Sequence, residues 1–253
     1  MRRVRDWAIS LVTVVVFGSV LVLGDLLQRI TFRMGMDRYE WSIGLIQRML
    51  IRTFGISGVS VDVEGRDRLA DSGGYIFVSN HQSMFDIPIF GGVLSDHSPR
   101  YVAKKSLAKR IPTVSLYLQR GGNAMIDRDD RAQAVSAITE MGAMCQERDV
   151  AAVIFPEGTR SRDGSLGQYR MAGVETLMGA APRLVVVPTA IDGSWRVFEN
   201  NMLPIPYGTN VRVRFGEPIE RTPDEDVKGI VDRCRAFTQG TLDAWHTGQE
   251  PPH

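Results

Sequence analysis

In the stretch Asn80-His81-Gln82-Ser83-Met84-Phe85-Asp86 an imidazole precedes a carboxylate by five positions. Five steps along a regular helix would leave the two side chains about 140° apart. They meet only if His81 lies in a turn and Asp86 opens the helix that follows. Pro88 fits that arrangement, because proline is tolerated in the first turn of a helix and not further in. Asp86 would then accept a hydrogen bond from one ring nitrogen and fix the tautomer, leaving the other nitrogen as a general base. A plainer account, with Asp86 as a helix N-cap and His81 as a turn residue, fits these residues alone equally well.

Further along, Phe155-Pro156-Glu157-Gly158-Thr159-Arg160-Ser161 follows the most hydrophobic run of the second half. Gly158 would let the backbone approach a ligand, Arg160 offers a planar fork for phosphate, and Glu157 can accept from a hydroxyl. The alternative is a solvated turn with an internal Glu–Arg pair. Gly121-Gly122-Asn123-Ala124-Met125-Ile126-Asp127-Arg128 ends on another arginine, which could equally begin an exposed helix end. Lys104-Lys105 closes an apolar run and could be a surface pair. Val187-Pro188-Thr189-Ala190-Ile191 suits core packing as well as ligand contact.

These stretches need a scaffold, and the chain alternates strand and helix signals from Gly55 onward. Strands are expected at Val59–Val63, Tyr75–Ser79, Arg100–Ala103, Ala124–Ile126, Val150–Phe155, Leu184–Ala190 and Val211–Phe215, the last with one wet face. Helices are expected at Asp86–Leu94, Asp130–Arg148, Met171–Ala180 and Pro223–Trp245, with Thr222 as N-cap of the last and a frayed tail beyond it. The alternation predicts an α/β fold, a mostly parallel central sheet flanked by helices. Functional groups then belong at the strand ends, as His81 does.

Residues 1–54 differ. After the basic Met1–Asp6, Trp7 to Gly24 carries no charge, and its length is at the lower edge of what spans a bilayer core of about 30 Å. No small-x-small cleavage pattern ends the run, so the segment is expected to be retained. Tyr39–Phe54 mixes apolar residues with Arg48 and Arg52 at helical spacing, as an interfacial amphipathic helix would. The expected division is a membrane anchor over 1–54 and a catalytic domain over 55–253. Arginines flank the run on both sides, at 2, 3 and 5 and at 29, 33 and 38, so they assign no orientation to a span. A hairpin entering one leaflet, with both ends in the cytosol, is the expectation, and a single span with its N-terminus outside is the alternative. The balance of 30 Lys+Arg against 29 Asp+Glu gives no global field for nucleic acid, so an anionic partner must be held locally. Cys145 and Cys234 suggest neither a disulfide framework nor a metal site.

The blocks NHQSMFD, GGNAMIDR, FPEGTRS and VPTAI occur in the order and approximate spacing of the glycerolipid acyltransferases. Over roughly Val59 to Phe215 the chain resembles the bacterial 1-acylglycerol-3-phosphate acyltransferases in particular. H-x4-D with F-P-E-G-T-R-S about seventy residues later is far more specific than either alone. Ala124 and Met125 stand where that family commonly has a branched residue and an aromatic, and Arg170 where it has lysine. The detailed acceptor preference is therefore less transferable.

The resemblance implies acyl transfer from acyl-CoA or acyl-carrier protein to the sn-2 hydroxyl of a lysophospholipid at a membrane, on the cytosolic side (the inner membrane in a bacterium). It makes His81 the base and Asp86 its partner. Arg128 and Arg160, with Lys105 in support, become the phosphate ligands, and Glu157, Gly158 and Thr159 shape the acceptor site. No G-x-S-x-G elbow and no cysteine in a matching block are present, so direct transfer is expected rather than an acyl-enzyme. No cofactor or metal is expected. Other lysolipid acceptors, such as lyso-ornithine lipid, stay open, as does an esterase or thioesterase using the same pair on water.

Overall fold

The computed structural model describes residues 2–108, 111–221 and 226–249. Seven strands form one sheet: β1 (Ser60–Glu64), β2 (Tyr75–Ser79), β3 (Arg100–Lys104), β4 (Ala124–Ile126), β5 (Ala152–Ile154), β6 (Val185–Asp192) and β7 (Asn210–Phe215). Their order is β1-β7-β6-β2-β5-β3-β4, and β6–β7 is antiparallel while the other neighbours are parallel. The expected α/β architecture is the one observed.

The middle strands are apolar on both faces because both are covered. Ile76 and Val78 of β2 join Ile154 and Val186 in one cluster under α5 (Arg131–Glu147), α6 (Met171–Ala180) and α7 (Val227–Thr247). Phe77 points the other way, as the two-residue period requires, and packs with Phe90, Val153 and Phe215. The wet face expected of β7 is graded along the strand: Asn210 is exposed, Arg212 half-buried and Arg214 buried. Arg214 is 7% exposed and reaches Glu64 at 2.7 Å, while Arg212 lies over the Trp245 ring and 3.4 Å from Asp192. Glu64 of β1, Asp192 of β6 and the Trp245 ring of α7 supply the partners that let these arginines lie against the sheet. Thr222 and Pro223 lie outside the described residues; the N-cap observed for α7 is Asp226, which accepts from the Lys228 amide.

The N-terminal residues fold as a helical hairpin, α1 (Arg2–Arg33) and α2 (Met36–Phe54), turned at Gly35 with φ 115°. The apolar run is the middle of α1. Asp25 does not end the helix, because it pairs with Arg29 one turn on at 2.7 Å and accepts the Thr113 amide at 2.9 Å. Among the described residues α1 is the one helix long and apolar enough to cross a membrane, and only 17% of its most apolar stretch is buried. Its inward side carries Ser10, Thr13, Gln28 and Thr31 beside Phe17 and Val20, whereas Trp7, Leu11, Val15, Val22 and Leu26 are exposed. Ser10 accepts the Ile205 amide at 2.8 Å, Thr13 and Ser57 share a hydrogen bond of 2.7 Å, and Thr113 donates to the Leu21 carbonyl at 3.0 Å. Tyr39, Ile43 and Phe54 of α2 enter the same cluster as Phe77. Glu40 of α2 accepts from the buried Arg100 and from Arg148.

Candidate active site

Because β2, β3, β4, β5 and β6 run parallel, their carboxyl ends line one edge of the sheet. The blocks singled out by residue type all lie there. β2 delivers Asn80 and His81, and α3 (Asp86–Val93) opens on Asp86 after a turn, so the two side chains meet. His81 Nδ1 is 2.7 Å from Asp86 Oδ2; the imidazole is 17% exposed and Asp86 is fully buried. The same Oδ2 accepts the backbone amides of Gln82 at 2.7 Å and Ser83 at 3.0 Å. These donors stand in for the water that a fully buried carboxylate has lost. With Nδ1–H given to Asp86, Nε2 carries the free lone pair, the tautomer a general base needs.

The second block braces the first. Glu157 is 4% exposed; its Oε1 accepts the His81 amide at 2.9 Å and its Oε2 accepts the Gly167 amide at 2.9 Å. Burial raises its pKa, against the lowering effect of those two amides. Glu157 therefore makes no pair with Arg160; it fixes the main chain under the histidine. The Ser161 amide donates to the His81 carbonyl at 2.8 Å, so both main-chain groups of His81 are held by this loop. Phe155 stacks on the imidazole, with centroids 4.2 Å apart and planes 17° from parallel. Gly158, at φ 65°, occupies the left-handed region, where a side chain would be strained.

The fourth block closes the other flank. Asn80 pairs with Ile191 through both of its amide atoms, at 2.8 and 2.9 Å, like an added rung of the sheet. Residue types alone did not single out Phe155, Gln82, Asp192 or Ser194 in this assembly. Their partners are distant in sequence, so only the folded sheet reveals them.

The remaining expected residues do not touch the pair. Thr159 and Arg160 are exposed on the loop after β5, the strand beside β2. Lys105 follows β3 and Arg128 follows β4, two and three strands from β2, and both are exposed. Among the described residues the side chains of Lys105, Arg128 and Arg160 make no hydrogen bond or ion pair. Asn123, in the same block as Arg128, is structural: it accepts the Tyr101 amide and donates to the Tyr117 carbonyl, each at 2.9 Å.

Neither cysteine is a nucleophile. Both Cys145 and Cys234 are buried and their thiols are pushed up to about 12, chiefly by loss of solvent. An apolar cavity of about 70 Å³ lies between the hairpin, α3 and α4 (Val114–Arg120), walled by Ile46, Leu50, Ile87 and Leu118 among others. Ile87 directly follows Asp86.

A partly exposed imidazole thus lies against a buried carboxylate at the carboxyl edge of an α/β sheet, where such folds place functional groups. A family model described as Acyltransferase matches residues 60–192, more than half of the chain, and the chain belongs to that family. The motif resemblance pointed to the same place. Similar curated proteins include the 1-acyl-sn-glycerol-3-phosphate acyltransferase alpha of Ovis aries and of Homo sapiens, 27% and 26% identical over 192 residues. That match takes in 76% of this chain and 66% of each relative, so the chain spans just under two thirds of their length. The 1-acyl-sn-glycerol-3-phosphate acyltransferase of Limnanthes douglasii is 28% identical over 229 residues, 89% of this chain and 75% of that protein. Among solved structures, the 1-acyl-sn-glycerophosphate acyltransferase PlsC of Thermotoga maritima matches with a TM-score of 0.78 at 22% identity. It covers 97% of this chain and 98% of its own, and so shares the fold.

Proposed function

We propose that this protein acylates the free sn-2 hydroxyl of 1-acylglycerol-3-phosphate, taking the acyl chain from acyl-CoA or acyl-carrier protein and yielding phosphatidic acid. The observation that carries this reading is the 2.7 Å contact between His81 Nδ1 and the buried Asp86, which leaves Nε2 free. Nε2 takes the hydroxyl proton as the oxygen attacks the thioester carbonyl, and Asp86 stabilises the imidazolium that forms. The C–S bond breaks as the ester C–O bond is completed, and the departing thiolate takes up the proton. Transfer is direct, which agrees with two buried, high-pKa cysteines.

Arg160 and Arg128 bind the acceptor phosphate, with Lys105 in support, since these cations have no other partner among the described residues. Glu157, Gly158 and Thr159 shape the acceptor site, Glu157 through the His81 amide it holds. Phosphate-directed cations favour a lysophosphatidate acceptor over water, and hence a transferase over an esterase. Part of the acyl chain occupies the apolar cavity beside Ile87.

The hairpin rests in one leaflet, with the catalytic domain on the cytosolic side where both thioester donors are found. In support, α1 stays bonded to the catalytic domain from Ser10 to Asp25, a length of about 22 Å. A helix leaving to cross the bilayer would part from it. The deciding assay supplies purified protein with a mixed lysolipid panel and one acyl-CoA, with products read by lipid mass spectrometry. Phosphatidic acid is the expected main product. His81→Ala should fold and lose roughly two to four orders of magnitude in turnover. Free fatty acid as the main product, or near-normal transfer by folded His81→Ala, would overturn the reading.

A further inference from the structure

The turn that carries His81 is held from beneath by the three residues at which β6 ends. Gly193 sits at φ 83°, and a Cβ there would lie 2.2 Å from the Asn210 carbonyl oxygen, so the chain can turn this sharply only with glycine. The turn puts polar groups of both its neighbours against the His81 segment. Asp192 Oδ1 lies 3.4 Å from the Gln82 side-chain nitrogen, and Ser194 Oγ donates to Asp86 Oδ1 at 2.5 Å. Ser194 and Asp86 are both fully buried.

The two oxygens of Asp86 are served unequally. Oδ2 has His81 Nδ1 and two backbone amides. Oδ1 has Ser194 and, at a long 3.4 Å, the Ser83 hydroxyl. No water reaches a fully buried carboxylate, so Ser194 is the main replacement for the solvation that Oδ1 has lost. Deprived of it, the carboxylate would rotate about its soft terminal torsion, which weakens its hold on the imidazolium.

We propose that Ser194 is a positioning residue of the acyl-transfer reaction, holding Asp86 by the oxygen that His81 does not use. This assignment rests on the general-base reading of His81 and Asp86. Ser194 acts through Asp86 and touches no substrate, so its loss should appear in kcat and leave KM alone.

The experiment is steady-state kinetics on the full-length protein in vesicles, with melting curves for each variant. Ser194→Ala should lower kcat roughly 10- to 100-fold at unchanged KM for donor and acceptor, the effect of one hydrogen bond to a charged group. Ser194→Cys keeps an atom at the γ position, larger than oxygen and a weak donor, so it should also be slow, with its melting curve reporting any cost in packing. In an Asp86→Ala background Ser194→Ala should cost less than about twofold, because the group it acts through is gone. Wild-type kcat in either folded Ser194 variant, a loss confined to KM, or a full additional loss on top of Asp86→Ala would each overturn the assignment. If His81→Ala kept its turnover, the general-base reading itself would fall. If His81→Ala is inactive and Ser194→Cys is not slowed, the assignment to Ser194 falls alone.

Discussion

Along α1 the polar side chains Ser10, Thr13, Gln28 and Thr31 are buried, while Trp7, Leu11, Val15, Val22 and Leu26 stand exposed. In the sheet the order is the ordinary one, with Phe77, Val153, Val187 and Phe215 inside. A helix in water puts its apolar stripe inward. Where the surroundings are as apolar as leucine, nothing is gained by hiding an apolar side chain. Helix contacts are then made by small and hydrogen-bonding residues. The serine and threonine contacts of α1 with Ile205, Ser57 and Ser42 follow that second rule. One chain therefore follows two packing rules, and the boundary between them runs along the line where α1 meets the rest of the fold.

The comparison breaks most readily on the outer face of α1. The double variant Leu11→Lys/Val15→Lys changes two exposed positions and none of the contacts that hold the hairpin. Affinity for neutral phosphatidylcholine vesicles, measured by flotation, should fall on the order of 10²- to 10⁴-fold. Activity on a detergent-dispersed short-chain acceptor should persist. Unchanged flotation would mean that the exposed apolar face does not meet lipid. The same surface decides topology through single-cysteine labels at Arg3→Cys and Gln249→Cys, since the native Cys145 and Cys234 are buried. In sealed, right-side-out cells both labels should be protected from an impermeant reagent. Reaction at position 3 alone would replace the leaflet hairpin by a span.

A second contrast sharpens the first. The exposed side chains of α1 are chiefly apolar, whereas the carboxyl edge of the sheet exposes Lys105, Arg128 and Arg160. If these cations read a phosphate, each contributes about 1.5–3 kcal/mol. Arg160→Ala should then lower kcat/KM for the phosphorylated acceptor roughly 10- to 150-fold and spare a neutral monoacylglycerol. Arg128→Ala should be milder. Its strand is three places from β2, at about 4.8 Å per place, whereas the Arg160 loop follows the adjacent strand. Equal losses on both acceptors would make the arginines structural.

Much of this was legible from local pattern. Pro88 favoured Asp86 in the first turn of a helix, the arrangement in which His81 and Asp86 can meet. The middle strands were plain because burial on both faces leaves a mainly apolar run. The misreadings share one cause, a partner far away in the chain. The alternating arginines of β7 suggested water; Arg212 keeps some of it, but Arg214 is buried against Glu64, 150 positions away. Glu157 was visible as a polar residue in a loop, but its use as a brace depends on the His81 amide 76 positions away. Ser194 reaches Asp86 across 108 positions, and nothing in its own neighbourhood marks it. Asp25 likewise receives the Thr113 amide from another element, 88 positions away.

The smallest expected effect tests the inward face of α1 most directly. Thr13 is 1% exposed, and its hydroxyl shares a 2.7 Å hydrogen bond with Ser57, which is itself 1% exposed. Thr13→Val keeps the branched shape and removes only the hydroxyl. If α1 behaved as a water-facing amphipathic helix with a packed core beneath it, the added methyl would be welcome. In the arrangement seen here the Ser57 hydroxyl instead loses its partner where solvent cannot replace it, at a cost of about 1 kcal/mol or somewhat more. Ser19→Val supplies the control: that side chain is exposed and bonds only its own helix, to the Val15 carbonyl at 2.9 Å. Its removal should change unfolding by less than about 0.5 kcal/mol. Urea unfolding of both variants in the same detergent would measure the difference. A Thr13→Val protein at least as stable as wild type would show that the polar contacts of α1 do not hold the hairpin, leaving Phe17 and Val20 to do so by packing alone.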